Sequence, residues 1–184
     1  PEIWNAWKAK LMEDLFWQKR RYQSDGTPDA SFGQSGVLLY DYNTNNYGNA
    51  VAVDSQDRIL VAATDADGAG EGRCMFVMRV ASDGTLDTSF GGSGITTGTC
   101  PMAAVVDEGR GVAIDSMGRI LVSGLATDES GLSYACLWRF LPDGSIDTAF
   151  GEDNGDGAKT GFAVRTNTAG AQCQDYGNCV TVDA

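Results

Sequence analysis

An acidic, glycine-rich phrase occurs three times in this chain: SDGTPDASFGQSG from Ser24, SDGTLDTSFGGSG from Ser82 and PDGSIDTAFGEDNG from Pro142. Repetition at a fixed period constrains a fold strongly, because each unit must bury its apolar face against the next copy of itself. Asp25 to Asp83 is 58 residues and Asp83 to Asp143 is 60. Four residues before these aspartates stand Arg21, Arg79 and Arg139. Seven residues after them stand Phe32, Phe90 and Phe150, each followed at once by glycine.

A second block repeats in step. GNAVAVDSQDRILVAATD from Gly48 matches GRGVAIDSMGRILVSGLATD from Gly109, and the chain closes on YGNCVTVDA, which matches YGNAVAVDS from Tyr47. The distance from the first block to the second grows from 29 residues (Asp25 to Asp54) to 32 (Asp83 to Asp115) and 40 (Asp143 to Asp183). Insertions confined to one connector are the mark of loops on one face of a repeating scaffold.

Each repeat reads as four short strands. AVAVD and RILVAAT, then VAID and RILVSG, are nearly continuous apolar runs, the pattern of strands buried on both faces. Gln56-Asp57 and Met117-Gly118 fall where a tight turn would join them. MFVMRV and ACLWRF make a third strand ending at the Asp-Gly turn, and GVLLYDY and GITTGT a more exposed fourth. Four strands in about sixty residues, joined by turns and repeated, predict all-β, β-propeller-type four-stranded blades. Two blades are complete and a partial blade lies at each end, since the chain starts on a third strand (FWQKRRY) and stops on a first (CVTVDA). That arrangement predicts a piece of a larger propeller, or copies that combine through exposed edge strands.

These residues resemble the bacterial delta-60 repeat, a propeller-forming family whose blades carry an R-x-x-x-DG-x-x-D-x-x-FG phrase. The resemblance covers roughly residues 16–184. Pro28 and Ala30 replace the usual Leu and Thr in the first copy, and Glu152 to Gly157 lengthen the third. The resemblance implies a propeller of surface or secreted proteins and no particular catalytic activity.

The phrase itself reads as punctuation rather than a repeated ligand site. Asp-Gly after a strand supplies the turn, and the second aspartate (Asp29, Asp87, Asp147) caps the backbone that follows. Phenylalanine then plugs the gap between blades. The recurrent arginines predict blade-to-blade ion pairs with the acidic turns.

Residues 2–18, EIWNAWKAKLMEDLFWQ, read as a short N-terminal amphipathic helix with Trp4, Trp7, Leu11 and Leu15 on one stripe. The domain division is therefore helix over 1–18 and propeller segment over 19–184. The stripe packs on the scaffold or docks a partner. Residues 1–22 carry a net charge of +2 within a chain of −12. Such an acidic chain is repelled by phosphate backbones, which argues against nucleic acid. No run of 18 apolar residues spans a membrane, and the N-terminus at Pro1 has no signal-peptide pattern.

There is no histidine, which removes Ser-His-Asp and Cys-His catalysis, His-ligated zinc and histidine pH switching. The five cysteines form no CxxC pair, and Cys173 and Cys179, flanking a short loop, are the pair expected to bridge. GEDNGDGAKTG offers a calcium candidate, with Glu152, Asn154 and Asp156 at alternate positions before Gly157, but Ala163 stands where a bidentate Glu is expected. Asp65, Asp67 and Glu71 make a weaker acidic loop. The glycines at 68, 70 and 72 lack the Lys-Ser/Thr of a phosphate loop. No cofactor is expected beyond calcium. The expected role is a non-catalytic binding or scaffold module, extracytoplasmic, whose partner is a protein or a surface glycan. The alternatives are a structural subunit self-assembling through open blade edges into a ring or filament, and a propeller enzyme acting on a carbohydrate or lactone with loop carboxylates and calcium.

Overall fold

A computed structural model describes residues 17–40, 46–66, 73–98, 106–153, 155, 157–165 and 175–183. Among them every regular element is a strand, and there is no helix long and apolar enough to cross a membrane. Trp4, Trp7 and Leu11 lie outside the described residues. Only the last two residues of the expected helix fall within them, and those open strand β1 (Trp17–Arg20).

β1 pairs antiparallel with β2 (Val37–Tyr40) as the third and fourth strands of a partial blade. The first complete blade is the meander β3 (Asn46–Val53), β4 (Ile59–Ala66), β5 (Arg73–Val80) and β6 (Ile95–Gly98). The second is β7 (Val106–Ile114), β8 (Ile120–Thr127), β9 (Ser133–Phe140) and β10 (Phe162–Arg165). A single parallel bridge, Arg73 to Val106, joins the two sheets. The blades are therefore held together by side chains and turns rather than by a shared ladder.

Period-2 alternation divides the first blade between two cores. Leu60, Ala62, Met75 and Val77 point forward onto Ile120, Val122, Trp138 and Phe140 of the second blade. Ile59, Val61, Ala63, Phe76, Met78 and Val80 point back onto Phe32 and Leu38. Both faces of β4 and β5 are buried over residues 59–63 and 75–78, and those runs are continuously apolar.

The first strands differ from expectation. β3 and β7 are only partly buried, and Val53 is exposed. Each is the first strand of its blade, laddered to β4 or β8 on one side, with Val106 of β7 bridged to Arg73 on the other. Nor is 175–183 a strand, although it runs along the second blade: the N–H groups of Asp175 and Gly177 donate to the carbonyls of Ser133 and Gly124.

Candidate functional site

The three phrases build the same local structure. Asp25 Oδ1 accepts from the N–H and hydroxyl of Thr27, Asp83 Oδ1 from those of Thr85, and Asp143 Oδ1 from those of Ser145. These bonds, the hydroxyl's first, hold all three carboxyls below the ordinary aspartate range. The second aspartate repeats the device. Asp29 and Asp87 accept from the hydroxyl and N–H of Ser31 and Ser89, which lower them in turn. Asp147 Oδ1 receives only the N–H of Ala149, among the described residues.

The other oxygen of the second aspartate takes the arginine. Nε to Oδ2 is 2.5 Å for Arg21–Asp29, 2.8 Å for Arg79–Asp87 and 2.7 Å for Arg139–Asp147. Each guanidinium then lies over the phenylalanine of its own phrase, 4.7, 4.6 and 4.3 Å from the centroids of Phe32, Phe90 and Phe150. A partly desolvated cation over an aromatic face adds about 0.5–2 kcal/mol.

The ion pairs are thus internal to each repeat, which corrects the expectation that they join blades. What crosses from blade to blade is the guanidinium's second nitrogen and a glycine. Arg21 Nη1 donates to the carbonyl of Ser82, and Arg79 Nη1 to that of Pro142 at 2.5 Å. The N–H groups of Gly33 and Gly91 donate to the carbonyls of Asp83 and Asp143, both at 2.8 Å. Gly84 and Gly144 fit because they lack a Cβ. One built there would lie 2.5 Å from Gly33 N and 2.8 Å from Gly91 N, and both glycines have positive φ. Phenylalanine as a plug between blades holds for Phe32 and Phe90, which are fully buried; Phe150 is only partly so.

Two further devices escaped the reading of the sequence. Asp54 and Asp115 each clamp the first hairpin turn, taking the N–H and Nε of Arg58 and Arg119 at 2.6–3.0 Å. Burial raises both carboxyls, but these bonds outweigh it and leave them lowered. The D-x-x-x-R spacing at 54–58 and 115–119 was a visible signal. Bulges at Asn49 and Arg110 then aim a side chain at the following unit: Asn49 Nδ2 donates to Gly109 O at 2.7 Å and Arg110 Nη1 to Asn178 Oδ1 at 3.0 Å.

The loop candidates do not converge among the described residues. Glu152 is exposed and accepts a long 3.5 Å bond from Val164 N–H; Asn154 and Asp156 lie outside the described residues. No group of three acidic or cysteine side chains there gathers as metal ligands. Asp65 is buried, whereas 67 and 71 fall outside. Cys179 is exposed, and Cys173, its expected mate, is also outside.

Residues 57–90 and 118–150 each match a family described as a domain of unknown function (DUF5122), beta-propeller. The two complete blades are of the β-propeller type. The two matched stretches run from the first hairpin turn of each complete blade through its Phe90 or Phe150, so they contain the phrase from its arginine to its phenylalanine. A stretch of 33 residues, 18% of the chain, is 48% identical to part of a bifunctional uridylyltransferase/uridylyl-removing enzyme of Aromatoleum aromaticum, of whose length it covers 4%. That stretch is about half as long as one repeat of this chain.

Proposed function

We propose that this propeller, of the delta-60 type, is a non-catalytic binding or scaffold module working outside the cytoplasm, with a protein or a surface glycan as partner. One observation carries the reading. The recurrent aspartates use their oxygens within their own turns, and their carboxyls are held low. A general acid at neutral pH needs the opposite shift. The phrase therefore serves the scaffold, and recognition falls to the connectors around 41–47, 98–109 and 152–176, whose lengths change while the frame repeats.

The test is a glycan array and a panel of purified surface proteins probed with the labelled chain. The partner found should be lost when 41–45 and 99–105 are replaced by Gly-Ser, with the melting temperature unchanged. Turnover of nitrophenyl glycosides or lactones, abolished by EDTA and by Glu152→Gln, would replace this reading with the enzymatic one. In that case Glu152, Asn154 and Asp156 would hold calcium.

A further inference from the structure

Seven residues before the repeated aspartates Asp54, Asp115 and Asp183 stand Tyr47, Glu108 and Tyr176, and five before them stand Asn49, Arg110 and Asn178. They lie on β3, β7 and the segment 175–183, with Asn49 and Arg110 at the bulges. The three segments are laced side by side. Asn49 Nδ2 donates to the carbonyl of Gly109, next to Glu108, at 2.7 Å, and Arg110 Nη1 donates to Asn178 Oδ1 at 3.0 Å. Glu108 and Arg110 therefore have a tyrosine-bearing segment on each side.

Both tyrosines face solvent, Tyr47 at 42% and Tyr176 at 44% exposure. Tyr47 belongs to a complete blade, opposite Thr64 in the β3–β4 ladder, so its exposure is a property of this repeat position within a fully paired sheet. Glu108 holds the Arg110 guanidinium, whose Nε and Nη2 lie 3.3 and 3.1 Å from Oε2, and the guanidinium lies 4.9 Å from the Tyr176 centroid. The charge of the fork is cancelled, and the cation fixes the orientation of one ring. Asn49 and Asn178 are exposed, and Asn49 Oδ1 and Asn178 Nδ2 make no bond among the described residues.

The strip thus presents two aromatic rings, a charge pair that cancels, and amides. An aromatic face is electron-rich and attracts the weakly positive C–H bonds of a sugar ring, while amides and a carboxylate bond its hydroxyls. A polyanion fits poorly, because the Arg110 fork is occupied and the chain carries −12. A protein fits poorly as well, since an interface of about 800 Å² per side needs an apolar centre. Among the described residues the other large exposed apolar side chains, Val53 and Met117, lie at the far end of the first strands, by the β3–β4 and β7–β8 turns.

We propose that Tyr47, Glu108 and Tyr176, with Asn49 and Asn178, form a platform for a neutral oligosaccharide. This rests on the glycan-binding reading above and narrows it to uncharged sugars held at the ends of the connectors.

A glycan array carrying neutral gluco-, manno-, galacto- and xylo-oligosaccharides beside polygalacturonate and sulfated glycans tests it, followed by calorimetry on the best neutral ligand. The wild type should bind a neutral oligosaccharide and no polyanion. Tyr47→Ala and Tyr176→Ala should each weaken binding about tenfold or more at an unchanged melting temperature, and Tyr47→Phe, which keeps the ring face, should retain most of it. Glu108→Gln releases the Arg110 fork and should admit polygalacturonate. Binding confined to polyanions would overturn the inference and leave the binding role standing. So would neutral-sugar binding that survives the Tyr47→Ala/Tyr176→Ala double variant but is lost on replacing 41–45 and 99–105. A chain that binds a surface protein and no glycan overturns the platform alone, and one that binds neither overturns both readings.

Discussion

The forward faces of the two complete blades carry matching residues in different surroundings. On the first blade Leu60, Met75 and Val77 are sealed by the second blade. On the second blade Leu121, Ala135 and Leu137 remain half-open. The local turns do not register the difference: the Asp–Thr/Ser bonds, the Arg–Asp pair and the Arg–Phe stack form in both. What changes is burial, the Arg79 bond to Pro142 O, and the Ser89 hydroxyl that Ala149 lacks. The phrase therefore shapes itself from its own residues, and the neighbouring blade adds packing to a turn already made.

Phenylalanine gives the widest contrast. Phe90→Ala should cost about 3–5 kcal/mol, as for a fully buried aromatic, and Phe150→Ala about 1–2 kcal/mol, as for partial burial. Urea midpoints measured in dilute solution report both, and equal losses would break the comparison. Glycine comes next. Gly26→Ala should lose about 1–2 kcal/mol from its positive φ alone, whereas Gly84→Ala adds about 1–3 kcal/mol from the clash with Gly33 N. Arginine follows, since Arg79 has the extra bond to Pro142 O. Arg79→Met should exceed Arg139→Met by about 1.5–3 kcal/mol, the range for a hydrogen bond from a charged group.

Acidification gives the smallest contrast. Asp87 is held below its unfolded value, with Ser89 the leading cause. Its contribution is complete above the ordinary aspartate pKa of about 3.9 and is lost as pH falls through the lowered folded value, because the unfolded chain takes up protons first. Ser89→Ala makes this turn resemble that of Ala149. It should flatten the fall in melting temperature below about pH 4, and a curve as steep as the wild type's would remove the serine from that role.

Much of the frame was legible in the primary sequence. The offsets of Asp25, Asp83 and Asp143 fixed the strand order, and the Asp-Gly pairs fixed the turns. The burial of Phe32 and Phe90 followed from their place in the repeat. The arginines were expected to pair from blade to blade because spacing does not say whether a side chain reaches an aspartate of its own repeat or of the next. Asp25 lies four residues after Arg21 and Asp29 eight after, yet the β1-to-turn geometry brings Asp29 to Nε. The half-burial of β3 was hidden for a related reason: apolar runs such as AVAV suit a first strand as well as a central one. The bulges at Asn49 and Arg110 had only the repeated Gly-Asn/Gly-Arg step to announce them, and a backbone acceptor such as Gly109 O leaves no trace in sequence.

Backbone acceptors also bear on how such a chain changes over generations. The arginine of one repeat finds Ser82 in one case and Pro142 in the other, and the bond is indifferent to which, since a carbonyl is common to both. A crossover between two copies of the coding segment, misaligned by one repeat, gains or loses about sixty residues. At the turn seam the hybrid meets its neighbours through the same carbonyls and the same glycine, so that only the apolar faces, such as Leu60 and Val77 on Trp138, have side chains to be matched. Gain and loss of whole blades is then nearly neutral for the seam, while a substitution at Gly84 or Gly144 is not.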